Sequence, residues 1–269
     1  MPILTAETKH DDWMDPDAVP RPVTIYGFVA EKFDGFELPP HSHSKGQIIL
    51  VQSGALTCDV EGGLWIVPPG SAIWIPDGAH HSIRMSGMLE GYNAFIAPAV
   101  SQCLPRTCCA VSVTPLLREL LRRAARLPQL YDESGPDARL LAVLLDEIAT
   151  ANIEDLHLPM PADPQLRRLA DAIIAAPADR STLDVWAKRA GLSARTLARR
   201  ITEETGMSFG RWRQQLAVML AVKWLADGAS IQQTAADLGY ESVPSFVTMF
   251  RKTLGTSPGR YMAERYGEG

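Results

Sequence analysis

Apolar positions along this chain follow two different periods. Between Val23 and Ile96 they come in short β-type runs: Val23–Val29, Gln47–Gln52, Ala55–Val60, Leu64–Val67, Ala72–Ile75, Ser82–Met85 and Gly91–Ile96. Turn material separates them, as in Glu61–Gly62–Gly63, Pro68–Pro69–Gly70 and Pro76–Asp77–Gly78. Many short strands at such spacing predict a small sandwich or barrel. From about Val113 the period becomes helical. Pro115–Leu127 reads as an amphipathic helix with Arg118, Arg122, Arg123 and Arg126 on its wet side. A second helix runs from Pro136, a good first-turn residue, to Ala151, with Leu141, Leu144, Leu145 and Ile148 in one stripe. That stripe suits packing on its own barrel or pairing with a second copy, and the two uses are compatible.

The proline-rich stretch Leu158–Pro164 cannot continue a helix and reads as a linker. After it come helices over Gln165–Ala176, Leu183–Ala190, Ala194–Glu204, Phe209–Ala226, Ile231–Leu238 and Val243–Thr253. Expected core positions are Leu197 and Ile201, then Leu216, Met219, Leu220, Trp224 and Leu225, then Phe246 and Phe250. Ser245, Thr248 and Met249 are left to face out, with Arg251 and Lys252 near the helix end. The region repeats itself. Ala187–Gly191 is answered 48 residues later by Ala235–Gly239, and Gly206–Trp212 is answered 49 residues later by Gly255–Tyr261. Each copy is helix, glycine turn, helix. An unbroken helix of about eighteen residues between them spans roughly 27 Å. It could hold two reading helices about one DNA turn, ~34 Å, apart.

Charge divides at the same place. Residues 163–269 hold 15 Lys and Arg against 11 Asp and Glu, a balance of +4, whereas residues 1–162 hold 11 against 20, a balance of −9. A basic half joined to an acidic one suits a nucleic-acid binder attached to something kept off the phosphates. Arg195, Thr196, Arg199 and Arg200 on the first reading helix are the candidate DNA contacts, since a guanidinium fork matches guanine N7 and O6 or a phosphate. Ser245, Thr248, Arg251 and Lys252 are the candidates on the second. With 46% hydrophobic residues the chain can build two cores. Its polar, acidic start and the lack of an eighteen-residue apolar run predict a cytoplasmic protein with no membrane partner. Cys58, Cys103, Cys108 and Cys109 form neither a CxxC pair nor a disulfide framework and read as reduced thiols, a sensor role for the vicinal pair being the alternative.

Residues 165–262 resemble the DNA-binding domain of the AraC/XylS family of bacterial transcription regulators. The family's end signature is met by Ala235, Gly239, Tyr240, Ser242, Phe246, Phe250, Arg251, Gly255, Ser257, Pro258 and Tyr261, while Thr248 stands where an arginine is usual. By matched position the resemblance implicates Arg195, Ala198 and Arg199 in the first unit and Val243, Ser245 and Thr248 in the second. The first unit is therefore expected to dominate base readout, with phosphate contacts and fit to a thymine methyl carrying more of the second.

A second constellation, Gly35, His41, His43, Gln47, Gly54, Gly70, Pro76, Gly78 and His81, resembles the two signature motifs of the cupin barrel. It departs at Gln47, in place of a glutamate, and at Met85, in place of an asparagine. Histidines at i and i+2 of a strand share a face, and Gln47 and His81 could converge on them inside a small barrel. Three readings stay open: a zinc, nickel, iron(II) or manganese site on His41, His43, Gln47 and His81; a metal-free pocket binding an effector through these residues and Met85; or packing alone. Together the resemblances imply an α+β protein, with an N-terminal cupin barrel (a double-stranded β-helix), following helices, and an all-α C-terminal domain of two helix-turn-helix units. The expected division is a flexible arm at 1–20, the sensor at 21–100, a helical dimerisation region at 101–156, a linker at 157–164 and the DNA-binding domain at 165–264. The implied function is a regulator that binds double-stranded DNA under control of a metal or small molecule. It is expected to form a homodimer through the helices at 115–151 and, if an activator, to meet RNA polymerase. A metal-dependent cupin enzyme of dioxygenase or isomerase type with an appended DNA module is the alternative.

Overall fold

The computed structural model describes residues 3–4, 15–60, 63–154 and 156–266. The chain forms two compact units, one of residues 1–61 and 65–156, the other of residues 62–64 and 157–269. In the first unit the strands are β1 (Ile3–Leu4), β2 (Val23–His41), β3 (Gly46–Val60), residues 65–67 of β4 (Gly63–Val67), β5 (Ser71–Ile75), β6 (His81–Ile96), β7 (Cys109–Ser112) and β8 (Ile153–Glu154). They are ordered β1-β2-β6-β3-β5-β7-β8 with β4 on β3. The β1–β2 pair is parallel, and the β2–β6, β3–β6, β3–β5, β5–β7 and β7–β8 pairs are antiparallel.

Pairs of short runs in the sequence prove to be single long strands with bulges. Gln47–Gln52 and Ala55–Val60 are two stretches of β3, and the register against β6 slips between Val51 and Ser53 and again between Ser53 and Ala55. The inward residues show the effect: Ile49 and Val51 before the slip, then Leu56, Cys58 and Val60 after it. A bulge inserts an unpaired residue, reverses the alternation and bends the strand. Both stretches can then close over one apolar core, shared with Phe28, Trp65, Val67, Ile73, Ile75 and Ile83.

The opposite face carries a second core. Ile48, Leu50, Trp74, Tyr92, Ala94 and Ile96 pack there with Leu117 and Leu121 of α1 (Pro115–Ala124) and with Leu141, Leu144 and Ile148 of α2 (Pro136–Thr150). The stripe on α2 is thus spent inside its own unit. Exposed apolar side chains on these helices are instead Leu116 and Val143.

Two expectations about connecting segments need correction. From Asp15 onward the supposed arm is built into the first unit. The buried Lys45 Nζ donates to the carbonyls of Pro16 (2.8 Å), Val19 (2.9 Å) and Arg21 (3.0 Å). Asp17 accepts from the backbone N–H of Ser44 (2.7 Å) and Lys45 (3.2 Å). Residues 1, 2 and 5–14 lie outside the described residues. The supposed linker belongs to the second unit: it includes strand β9 (His157–Pro159), and Leu158, Met160 and Pro161 are buried. A proline-rich segment cannot extend a helix, but its carbonyls still accept hydrogen bonds. Here Trp212 Nε1 donates to Pro159 O (2.8 Å) and Gln215 Nε2 to His157 O (3.2 Å).

The second unit is helical, with α3 (Pro164–Ala175), α4 (Leu183–Arg189), α5 (Ala194–Thr205), α6 (Phe209–Ala226), α7 (Ile231–Asp237), α8 (Val243–Leu254) and α9 (Pro258–Tyr266). Helix α6 is the spine. Its Ala217, Val218, Ala221 and Val222 pack on Ala235, Leu238, Phe246, Met249, Phe250 and Tyr261.

Candidate functional site

The two candidate reading helices are built alike. Helix α5 starts at Ser193, whose hydroxyl accepts from Thr196 N–H (3.1 Å), and stops at the left-handed Gly206. Helix α8 starts at Ser242, whose hydroxyl accepts from Ser245 N–H (3.4 Å), and stops at the left-handed Gly255. A serine N-cap and a glycine C-cap satisfy end groups the helix cannot. The preceding turns use Gly191 (φ 67°) and Gly239 (φ 71°), backbone conformations that a side chain disfavours. Leu197 and Ile201 anchor α5 inward, as Phe246 and Phe250 anchor α8.

The outward faces differ. On α5, Arg195 and Arg199 are exposed, and Arg199 Nη1 donates to both Glu203 carboxylate oxygens at 2.8 and 2.7 Å. Thr196 is half-buried, its hydroxyl 2.8 Å from that of Ser193, and Ala198 is half-buried beside it. Arg200 departs from expectation: it turns to Asp163 (2.7 Å) and Gln165 Oε1 (3.1 Å), fastening α5 to the start of α3. On α8, Ser245, Thr248, Arg251 and Lys252 are exposed and Val243 is half-buried. Met249, expected to face out, is buried in the cluster on α6. The helix is thus fully wet on a narrower face than its sequence suggests.

The first unit assembles the histidines. His41 closes β2, His81 opens β6, and the antiparallel register sets them opposite one another. His43 lies in the connection to β3 rather than on a strand. That connection is held at both ends: Gly78 N–H donates to His43 O (2.8 Å), and Asp17 takes the amides of Ser44 and Lys45. Burial pushes the Asp17 carboxyl up, but those hydrogen bonds and the nearby His43 outweigh it and hold it below the usual range. The ring centroids stand 4.3 Å (His41–His81), 5.0 Å (His41–His43) and 5.5 Å (His43–His81) apart. One ligand nitrogen from each ring lies within 4.8 Å of the others, the histidines being the candidate metal-holding group among the described His, Cys, Asp and Glu residues.

Hydrogen bonds set the tautomers. His81 Nδ1 lies 3.0 Å from Ala79 O, and His41 Nδ1 lies 2.7 Å from Pro39 O. A carbonyl only accepts, so each Nδ1 carries a proton and Nε2 is the nitrogen left to serve as a ligand, as in a second-shell-oriented metal site. His81 Nε2 is buried without a hydrogen-bond partner. Desolvation, helped by the charges of His41, His43 and His80, depresses the His81 pKa to about 4, against the hydrogen bond to Ala79. The ring is therefore neutral at physiological pH and available to a cation.

Gln47 is also buried, on the inward side of β3 with Ile49 and Val51. Its Nε2 donates to Asn93 Oδ1 (3.0 Å), leaving Oε1 buried and without a hydrogen-bond partner. Asn93 is a site residue the sequence reading passed over; its signal was a lone amide in the apolar run Gly91–Ile96. Lys45 and Asp17 were also passed over, and nothing local marks them. The side chain of Met85 lies outside the described residues. His80 is exposed, which leaves His81 as the inward one of the pair. Among the described residues no helix is long and apolar enough to cross a membrane.

Comparison with known proteins agrees with both halves. The AraC-like ligand binding domain matches residues 28–179 and a helix-turn-helix domain matches residues 186–264. The chain is 41% identical over 230 residues to the HTH-type transcriptional regulator NimR of Escherichia coli, covering 86% of this chain and 84% of that one. It is 34% identical over 111 residues to the HTH-type transcriptional regulator RipA of Corynebacterium glutamicum, covering 41% of this chain and 34% of that one. Among solved structures, fatty-acid-bound ToxT from Vibrio cholerae is similar with a TM-score of 0.38 and 13% identity, over 91% of this chain and 96% of that one. With an AraC-like ligand binding domain followed by a helix-turn-helix domain, the chain belongs to the AraC family of transcription regulators.

Proposed function

We propose that this regulator takes its signal at the histidine triad, as a divalent-metal site, and reads its operator chiefly through Arg195 and Arg199 of α5. The observation that carries the first part is the buried His81 Nε2, without a hydrogen-bond partner, on a ring that brings one ligand nitrogen within 4.8 Å of ligand nitrogens on His41 and His43. A buried polar atom left unsatisfied calls for an explanation, and three imidazoles suit zinc, nickel, iron(II) or manganese. His41, His43 and His81 would hold the ion, with Gln47 Oε1 as a weak oxygen donor. Bound metal would supply a positive charge that ties the end of β2, the His43 connection and the start of β6 together.

The test is elemental analysis of the purified full chain, with thermal melts in added Zn²⁺, Ni²⁺, Mn²⁺ and Fe²⁺. Metal at one hundred times its Kd stabilises by about 2.7 kcal/mol. His81→Ala should abolish the gain. If no ion copurifies and none raises the melting temperature, the metal reading is wrong; a rise with small organic acids would then favour a metal-free effector pocket.

For DNA, α8 offers hydroxyls and the basic pair Arg251 and Lys252, which supports a larger phosphate share for the second unit. The protein acts in the cytoplasm as a homodimer through the helices at 115–151. With the α2 stripe spent internally, Leu116 and Val143 (51% and 47% exposed) are the apolar groups left to meet a second copy. Leu116→Glu with Val143→Glu should halve the mass seen by light scattering.

A further inference from the structure

We infer that the loop between α3 and α4, residues 177–182, is a clamp that fixes the distance between the two reading helices, with Arg180 and Arg213 as its positioning residues. This rests on the double helix-turn-helix reading of DNA described above. The loop touches three parts of the second unit at once. Asp179 accepts from Ser181 N–H (2.8 Å) and from Arg189 Nη1 (2.6 Å), which ties the loop to α4 of the first reading unit. Arg213 of α6 donates one guanidinium nitrogen to Ser181 O (2.8 Å) and another to Asp179 O, which ties the loop to the spine. Arg180 lies over the Tyr240 ring, 4.4 Å from its centroid, which ties the loop to the turn of the second unit.

The loop backbone also comes close to Gly239. A Cβ there would collide with the Ala178 carbonyl oxygen and crowd Arg180 Cγ. The glycine therefore serves two ends, a positive-φ turn and a backbone-to-backbone contact between units. Helix α6 alone would leave one connection between the two reading units. A second contact, away from the helix axis, resists rotation of one unit about the spine. Two rigid readers at a set distance demand two half-sites at a set distance. No residue of the clamp is among the candidate base contacts, so it acts on spacing rather than on base identity.

The experiment is selection of binding sequences from a random duplex DNA pool by the full-length chain, comparing wild type, Arg180→Ala, Arg213→Ala and Arg213→Lys. Wild type should enrich two short motifs at one spacing. It should lose at least about fivefold in affinity when a base pair is inserted between them, the low end of one lost base contact. Arg180→Ala and Arg213→Ala should enrich the same motifs over a spread of spacings and reduce that loss to about twofold or less. Arg213→Lys, which keeps the charge but not the paired donation, should behave like Arg213→Ala. Arg180 is exposed, so its alanine variant keeps the inference testable if Arg213 variants unfold. Variants that keep one spacing, or lose affinity equally on every duplex, overturn the clamp while leaving the DNA reading intact. If wild type enriches no motif, the DNA reading falls and the clamp with it.

Discussion

Arg199 is engaged before DNA arrives, and that makes its contribution measurable. Its guanidinium is held by both oxygens of Glu203, one turn on, with side-chain exposures of 61% and 55%. An exposed i,i+4 pair is worth about 0.3–0.5 kcal/mol, whereas a bidentate contact to guanine discriminates by about 1–3 kcal/mol. Exchange of the carboxylate for a base is thus favourable, and releasing the arginine beforehand should help only about twofold. Glu203→Gln also removes a negative charge near the phosphates, which strengthens binding whatever Arg199 does. A double-mutant cycle separates the two. Titrating a selected operator duplex by fluorescence anisotropy at fixed salt, Arg199→Ala should cost about 1–3 kcal/mol on the preferred sequence and little on a duplex altered at one base pair. Glu203→Gln should gain about 0.3–0.5 kcal/mol more in the Arg199 background than in the Arg199→Ala background. Equal losses for Arg199→Ala on every sequence would make it a phosphate contact. A cycle that closes to zero would show that binding does not cost Arg199 its pair with Glu203, and would refute the exchange.

Three further outcomes are expected. The depressed His81 pKa of about 4, against an ordinary 6.5, means that the unfolded chain binds a proton the folded chain refuses. The resulting stability is complete above pH 6.5 and is lost as pH falls through about 4, a total of roughly 3 kcal/mol; urea titrations of metal-free protein should show this slope, and one unchanged in His81→Asn would sink the assignment. Lys45→Met strips one charged donor from three backbone carbonyls and should cost about 1–3 kcal/mol; hydrogen exchange would show faster labelling over residues 15–24, and unaltered protection there would disprove the anchoring role. Phe250→Ala empties a fully buried ring position between Phe246 and Tyr261 and should cost about 3–5 kcal/mol; circular dichroism melts with loss confined to the helical unit are the expected result, and a change below 1 kcal/mol would contradict the packing.

Much of the DNA-binding half was legible because its signals are local. Serines at 193 and 242 and glycines at 191, 206, 239 and 255 act within one helical turn, and the spacing of Leu197 with Ile201 and Phe246 with Phe250 names the inner face directly. Met249 misled because it borders that face: a residue one position before Phe250 is buried or wet according to what lies across from it, and α6 happens to cover it. Arg200 misled for the same reason, its partners being 35 and 37 positions back in the chain.

In the barrel, His41, His43 and His81 were marked by spacing, but the means of bringing them together was not. A β-bulge carries no fixed residue signature, so the merging of short runs into long strands, and with it the pairing of His41 with His81, depends on partners far along the chain. By itself the sequence determined the duplicated reading units, the caps that bound them and the residues able to ligate a metal, since each rests on contacts within a few positions. Only the tertiary structure decided that residues 15–21 are held by Lys45, that the proline segment is part of the helical unit and that Gly239 lies against Ala178. Those outcomes rest on single hydrogen bonds and close approaches between remote stretches, which no local periodicity encodes.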